Sequence, residues 1–78
     1  MIVRIEKIYE GRMGNTLRPV FEVYVDNVLV GFAERKWLAR AIGDAIVAGH
    51  ISATGDTTMR FAMWAREHAP ALFDRMPD

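Results

Sequence analysis

The chain has 78 residues, enough for one domain and too few for a second, and a chain of this length buries roughly 60% of its unfolded surface. It has no Cys, which excludes disulfides, zinc–thiolate sites and thiol nucleophiles, and its 51% hydrophobic content argues against disorder. Ten Lys and Arg balance ten Asp and Glu, so the strong basicity that accompanies most nucleic-acid binding is missing.

Residues 1–10, MIVRIEKIYE, are rich in Ile, Val and Tyr and predict a strand. Val3, Ile5, Lys7 and Tyr9 form its more apolar face, expected inward, with Ile2, Arg4, Glu6 and Ile8 on the other. Residues 11–18 hold two Gly and an Asn and predict a loop, after which Pro19 suits a strand entrance. Residues 20–33 carry the clearest signal, a hairpin. Asp26-Asn27 can turn in two residues, because both types tolerate positive φ. That turn predicts the pairs Val25–Val28, Val23–Val30 and Phe21–Phe32, all on the inward face.

Over residues 34–48, Trp37, Leu38, Ala41, Ile42, Ala45 and Ile46 draw one helical stripe, and Gly49 is placed to stop it. Residues 50–55 read as a connector. Asp56 is a good N-cap for a second helix over about 57–69, with Thr58, Phe61, Ala62, Ala65 and Ala69 as its apolar face; residues 57–64 also tolerate a strand's period of two. Pro70 ends that helix or starts a short turn, and Met76-Pro77-Asp78 is expected to fray. The whole chain, 1–78, is expected to form a single small α+β domain in the order βββαα. Its three-stranded antiparallel sheet carries two helices on one face, and Phe21, Val23, Val30, Phe32, Trp37, Leu38, Ile42 and Ile46 form the core. A basic start leads into no apolar run of signal-peptide length, and no segment is apolar enough to span a bilayer, so a cytoplasmic location is expected.

Little in the sequence points to catalysis. His50 and His68 lack an i, i+4 partner of ligating type, so no metal is expected. Ser52, Thr54, Thr57 and Thr58 have no nucleophile elbow or acid–base partner nearby, and their expected work is capping and turn formation. Gly11-x-x-Gly14 lacks both the third glycine and the strand-to-helix setting of a dinucleotide loop. The expectation is therefore a non-enzymatic protein without cofactor.

Its surface is more informative. With the hairpin's inward set fixed, Val20, Tyr24 and Leu29 must face outward, and Tyr24 falls opposite Leu29; a wet sheet face is usually more polar than this. The alternative is that Leu72-Phe73 folds back to cover them. Arg35, Lys36 and Arg40 sit in the first half of the first helix, against its dipole, and with Arg12 and Arg18 they outline a basic side; a solvated face with long stems is the plainer reading. Trp64 is expected at the core edge or at an interface.

These features predict a module that acts by binding another protein, a second copy of itself included. In class, though in no aligned motif, it is similar to the short stand-alone inhibitors of host defence complexes that phages and mobile elements encode, those of the anti-CRISPR kind. The alternative is a nucleic-acid-binding domain. In element order alone the chain resembles the arm-binding domains of tyrosine recombinases and the plant ethylene-response type. That resemblance implies DNA reading by basic and aromatic residues on the exposed sheet face, where this chain offers Val20, Glu22, Tyr24 and Leu29.

Overall fold

Asp26 and Asn27 both adopt positive φ, 51° and 68°, and so make the two-residue type I′ turn whose twist matches that of a hairpin. Val25 and Val28 pair directly across it, as expected. In the computed structural model, which describes residues 1–10 and 18–74 (for Glu10, Arg18, Phe73 and Asp74 the backbone alone), the turn joins strands β2 (Arg18–Val25) and β3 (Val28–Ala33). Strand β1 (Val3–Glu10) pairs antiparallel with β2, giving the order β1-β2-β3. Asp26 also anchors the start of β1: its N–H donates to Ile2 C=O at 2.9 Å, and its Oδ1 accepts from Ile2 N–H at 2.8 Å.

Helix α1 (Lys36–Val47) packs across all three strands. Ile42, Ala45 and Ile46 of its stripe are buried together with Ala39, which the stripe did not include, while Leu38 and Ala41 are partly buried beside them. A Schellman pair ends it: Gly49, at φ +81°, donates to Ile46 C=O, and His50 N–H reaches Ala45 C=O. Residues 57–64 are helical, within α2 (Thr57–His68); Asp56 caps it by accepting from Met59 N–H at 3.0 Å. In the connector, Thr54 N–H donates to Ser52 Oγ and the two hydroxyls lie 2.8 Å apart, which is the turn-making role expected of them. A 3₁₀ turn (Pro70–Asp74) follows α2. The fold is therefore α+β, with a three-stranded antiparallel sheet followed by two helices that contact it.

The core is Val23, Val25, Ala33, Ile42, Ile46, Phe61 and Ala65 with their neighbours. Two expected core residues fall outside it. Trp37 is half-buried and outside the cluster, and its buried Nε1 has no hydrogen-bond partner among the described residues. Phe32 is 48% exposed, because the register of β3 slips by one residue after Leu29. Val23 pairs with Gly31 instead of Val30, and Phe21 with Ala33 instead of Phe32. The slip is a β-bulge, and it turns Phe32 to the outer face opposite Glu22. Val28 keeps its predicted partner but stays outside the core cluster and is 61% exposed.

Candidate functional site

Alternation along the strands determines what the outer face presents. Val3, Ile5, Val23 and Val25 point toward the core, so Arg4, Glu6, Ile8, Val20, Glu22 and Tyr24 point the other way. Pairing arranges them in rows across the sheet: Arg4–Tyr24–Leu29, then Glu6–Glu22–Phe32, then Ile8–Val20. Leu29 is 43% exposed. The alternative in which the C-terminal segment covers this face does not hold for Leu72, which packs on the helix side, against the core.

The first row is polarised and tied by side-chain contacts. The Arg4 guanidinium lies 4.3 Å from the centre of the Tyr24 ring and forms a 2.9 Å ion pair with Glu6. The Tyr24 hydroxyl donates to Glu22 Oε1 at 3.0 Å. That bond to a carboxylate holds the Tyr24 pKa above the ordinary tyrosine value; partial desolvation and the Glu22 charge add to the effect, and Arg4 opposes it. At neutral pH Tyr24 therefore offers a protonated hydroxyl and a fixed ring beside the aliphatic Leu29 and the exposed Phe32 ring.

The remaining predicted site residues do not join this face. Arg35 is the N-cap of α1; it and Lys36 are exposed, and Arg40 Nη1 donates to Val3 C=O at 3.3 Å. Arg12 lies outside the described residues, as does the Arg18 side chain, so the basic side is represented only by its helical part. Val20 is on the outer face, half-buried opposite Ile8. Trp64 lies on the helix side, half-buried against the core, as expected of a core-edge residue.

An aromatic stack surrounds Trp64. The His50 ring stacks on it at 4.6 Å and 15°, and the His68 ring lies 5.5 Å away at 29°. From the sequence alone, His50 is expected just past a helix end, where an imidazolium is mildly favoured, and His68 on the solvated surface. The spacing of Trp64 and His68, one helical turn apart, was the available signal for one of these contacts; the His50 contact depends on the connector's path. A shallow cleft of about 320 Å³, lined by Ala41, Asp44, His50, Phe61 and Leu72 among others, opens beside Trp64. Among the described residues no three His, Asp or Glu side chains gather as metal ligands, and no helix is long and apolar enough to cross a membrane.

Phe32 is the outward residue that sequence reasoning missed. Gly31 was its signal, because a lone glycine inside a strand pattern often marks a bulge. The chain matches no protein-family model, no curated protein and no solved structure.

Proposed function

We propose that this is a cytoplasmic, non-enzymatic interaction module that docks on another protein through the outer face of its sheet. The observation that carries this reading is the row Arg4–Tyr24–Leu29 with Phe32 beside it. Helix α1 and the buried residues of α2 pack on the opposite side, and among the described residues Leu29 and Phe32 are bordered at the β3 edge by the connector and the first turn of α2, with which they line a cleft. An aromatic ring already held by Arg4 and Glu22 loses little freedom on binding, which is why Tyr is favoured at interfaces. Less than half of Tyr24, Leu29 and Phe32 is still exposed, so burying the remainder would contribute about 1 kcal/mol each.

The partner surface that fits is apolar opposite Tyr24, Leu29 and Phe32 and basic opposite Glu6 and Glu22. The same charges disfavour the nucleic-acid alternative: among the described side chains, one arginine against two glutamates on this face would repel a phosphate backbone. Inhibition of a host defence complex by covering its working surface falls within this reading and needs no chemistry beyond these side chains.

The double variant Tyr24→Lys, Leu29→Glu tests it. Its circular dichroism and cooperative unfolding should match the wild type, while a partner retained by the wild-type protein should no longer be retained. Loss of the fold in this variant would show that the face is internal, and unchanged retention would remove the face from the interface.

A further inference from the structure

The free edge of β1 supports an inference about self-association that does not rest on the docking face. Because Asp26 N–H donates to Ile2 C=O, the backbone groups of Ile2 turn toward β2. Alternation then turns those of Arg4, Glu6 and Ile8 the same way, and those of Val3, Ile5, Lys7 and Tyr9 to the open side. Pro19, which has no N–H, pairs with Tyr9, the parity at which β1 and β2 exchange no bond. Among the described residues, the contact with this open row is the 3.3 Å bond from Arg40 to Val3 C=O, whose second lone pair stays available.

We propose that β1 pairs antiparallel with β1 of a second copy about a two-fold axis, Ile5 facing Ile5, so that two three-stranded sheets become one. The side chains favour this register. On the outer face it sets Arg4 against Glu6 of the second copy and Ile2 against Ile8 of the second copy. On the inner face it sets Val3 against Lys7 of the second copy. Backbone parity allows slips only in steps of two residues. A slip in one direction brings Arg4 against Arg4, and in the other Glu6 against Glu6; like charges directly opposite are unfavourable. With Ile5 at the axis, the intrachain Arg4–Glu6 pair, 2.9 Å apart, joins its symmetry mate in a closed ring of two arginines and two glutamates. The N–H and C=O groups of Val3, Ile5 and Lys7 all find partners.

Charge variants measured by sedimentation velocity test this pairing. The wild type should dimerise with rising concentration. Arg4→Glu and Glu6→Arg should each be monomeric while keeping the wild-type circular dichroism. An equimolar mixture of the two should dimerise, because positions 4 and 6 are then both acidic in one copy and both basic in the other, and opposite charges meet across the axis. Amide exchange on the wild type gives a reading that survives any misfolding of a variant. Protection at Val3, Ile5 and Lys7 should rise with concentration, while Arg4 and Glu6 should be protected throughout. A wild type that stays monomeric at millimolar concentration would overturn the proposal. So would single variants that still dimerise, a folded mixture that does not, or concentration-independent exchange at Val3, Ile5 and Lys7. Leu29→Glu with Phe32→Glu, two strands from the edge, should leave the dimer intact even where it abolishes docking on the outer face, which separates the two readings.

Discussion

The two edges of the sheet end differently. At the β3 edge the bulge bends the strand, and the first turn of α2 supplies the missing hydrogen bonds: Thr57 Oγ1 donates to Val30 C=O at 2.8 Å and Thr58 Oγ1 to Phe32 C=O at 2.6 Å. At the β1 edge a row of backbone groups faces the open side, with Lys7 as the one charged residue in that row and Arg40 touching Val3. Proteins blunt exposed edges with bulges, charges or covering elements, because an open row of N–H and C=O groups invites another strand. Here β3 carries two of those devices and β1 little more than Lys7, so the contrast identifies the edge at which a strand can be added.

The largest effect should come from removing the close approach that closes the β3 edge. A Cβ at Gly31 would collide with Thr57 Oγ1, which is buried in the first turn of α2. Gly31→Ala should cost about 1–3 kcal/mol through overpacking. It should cost about 1–3 kcal/mol more if the hydroxyl swings away and leaves Val30 C=O unmet. Thr57→Val, which keeps the shape and removes the hydroxyl, isolates that second contribution. Urea unfolding measures both; equal stability of wild type and Gly31→Ala would mean that α2 does not bear on this edge.

Much of this was legible in the sequence, but not the part that distinguishes the edges. The turn at Asp26-Asn27, the α1 stripe, the Gly49 stop and the Asp56 cap each rest on local chemistry, and each appears in the structure. Val28, Val30 and Phe32 imitate an unbroken alternation, so the bulge was hidden although Gly31 marked it, and Phe32 was assigned inward. The bonds of Thr57 and Thr58 span 27 and 26 residues, a separation at which spacing carries no signal. Trp37 looked like core because it begins the helical stripe, yet the tight packing starts two residues later, at Ala39. Tyr24 and Leu29 were found because a two-residue turn fixes the register nearest to it.

A smaller effect separates neighbouring positions on β1 itself. Glu6→Pro removes an N–H that points into the ladder with β2 and leaves Glu22 C=O unmet, at a cost of about 1–3 kcal/mol. Lys7→Pro removes an N–H that points to the open side, the position where strands tolerate proline, and should stay within about 1 kcal/mol of the wild type. Denaturant midpoints for the pair, taken at concentrations where the wild type is monomeric, measure this alternation. If Lys7→Pro were the more damaging of the two, the edge would already be occupied within the chain.

The smallest effect lies midway between the edges, at Tyr24, whose two flanks differ as the edges do: charged Arg4 on the β1 side, aliphatic Leu29 on the β3 side. The hydroxyl's bond to Glu22 is the main reason its pKa is raised, and Arg4 is the one opposing charge. Glu22→Gln should therefore move the Tyr24 titration back toward the ordinary tyrosine value, Arg4→Met should move it further up, and Leu29→Met should leave it in place. The sign of the linked stability follows. A group held protonated by the fold contributes stability that is fully present below its unfolded pKa and is lost as the pH rises through its folded one. The wild type should thus lose stability on the alkaline side of the tyrosine range, and Glu22→Gln should lose less there. The tyrosine Cζ chemical shift followed against pH reads the titration directly. An unchanged midpoint in Glu22→Gln would mean that the 3.0 Å contact does not hold the proton, and that the Tyr24 ring is fixed by Arg4 alone.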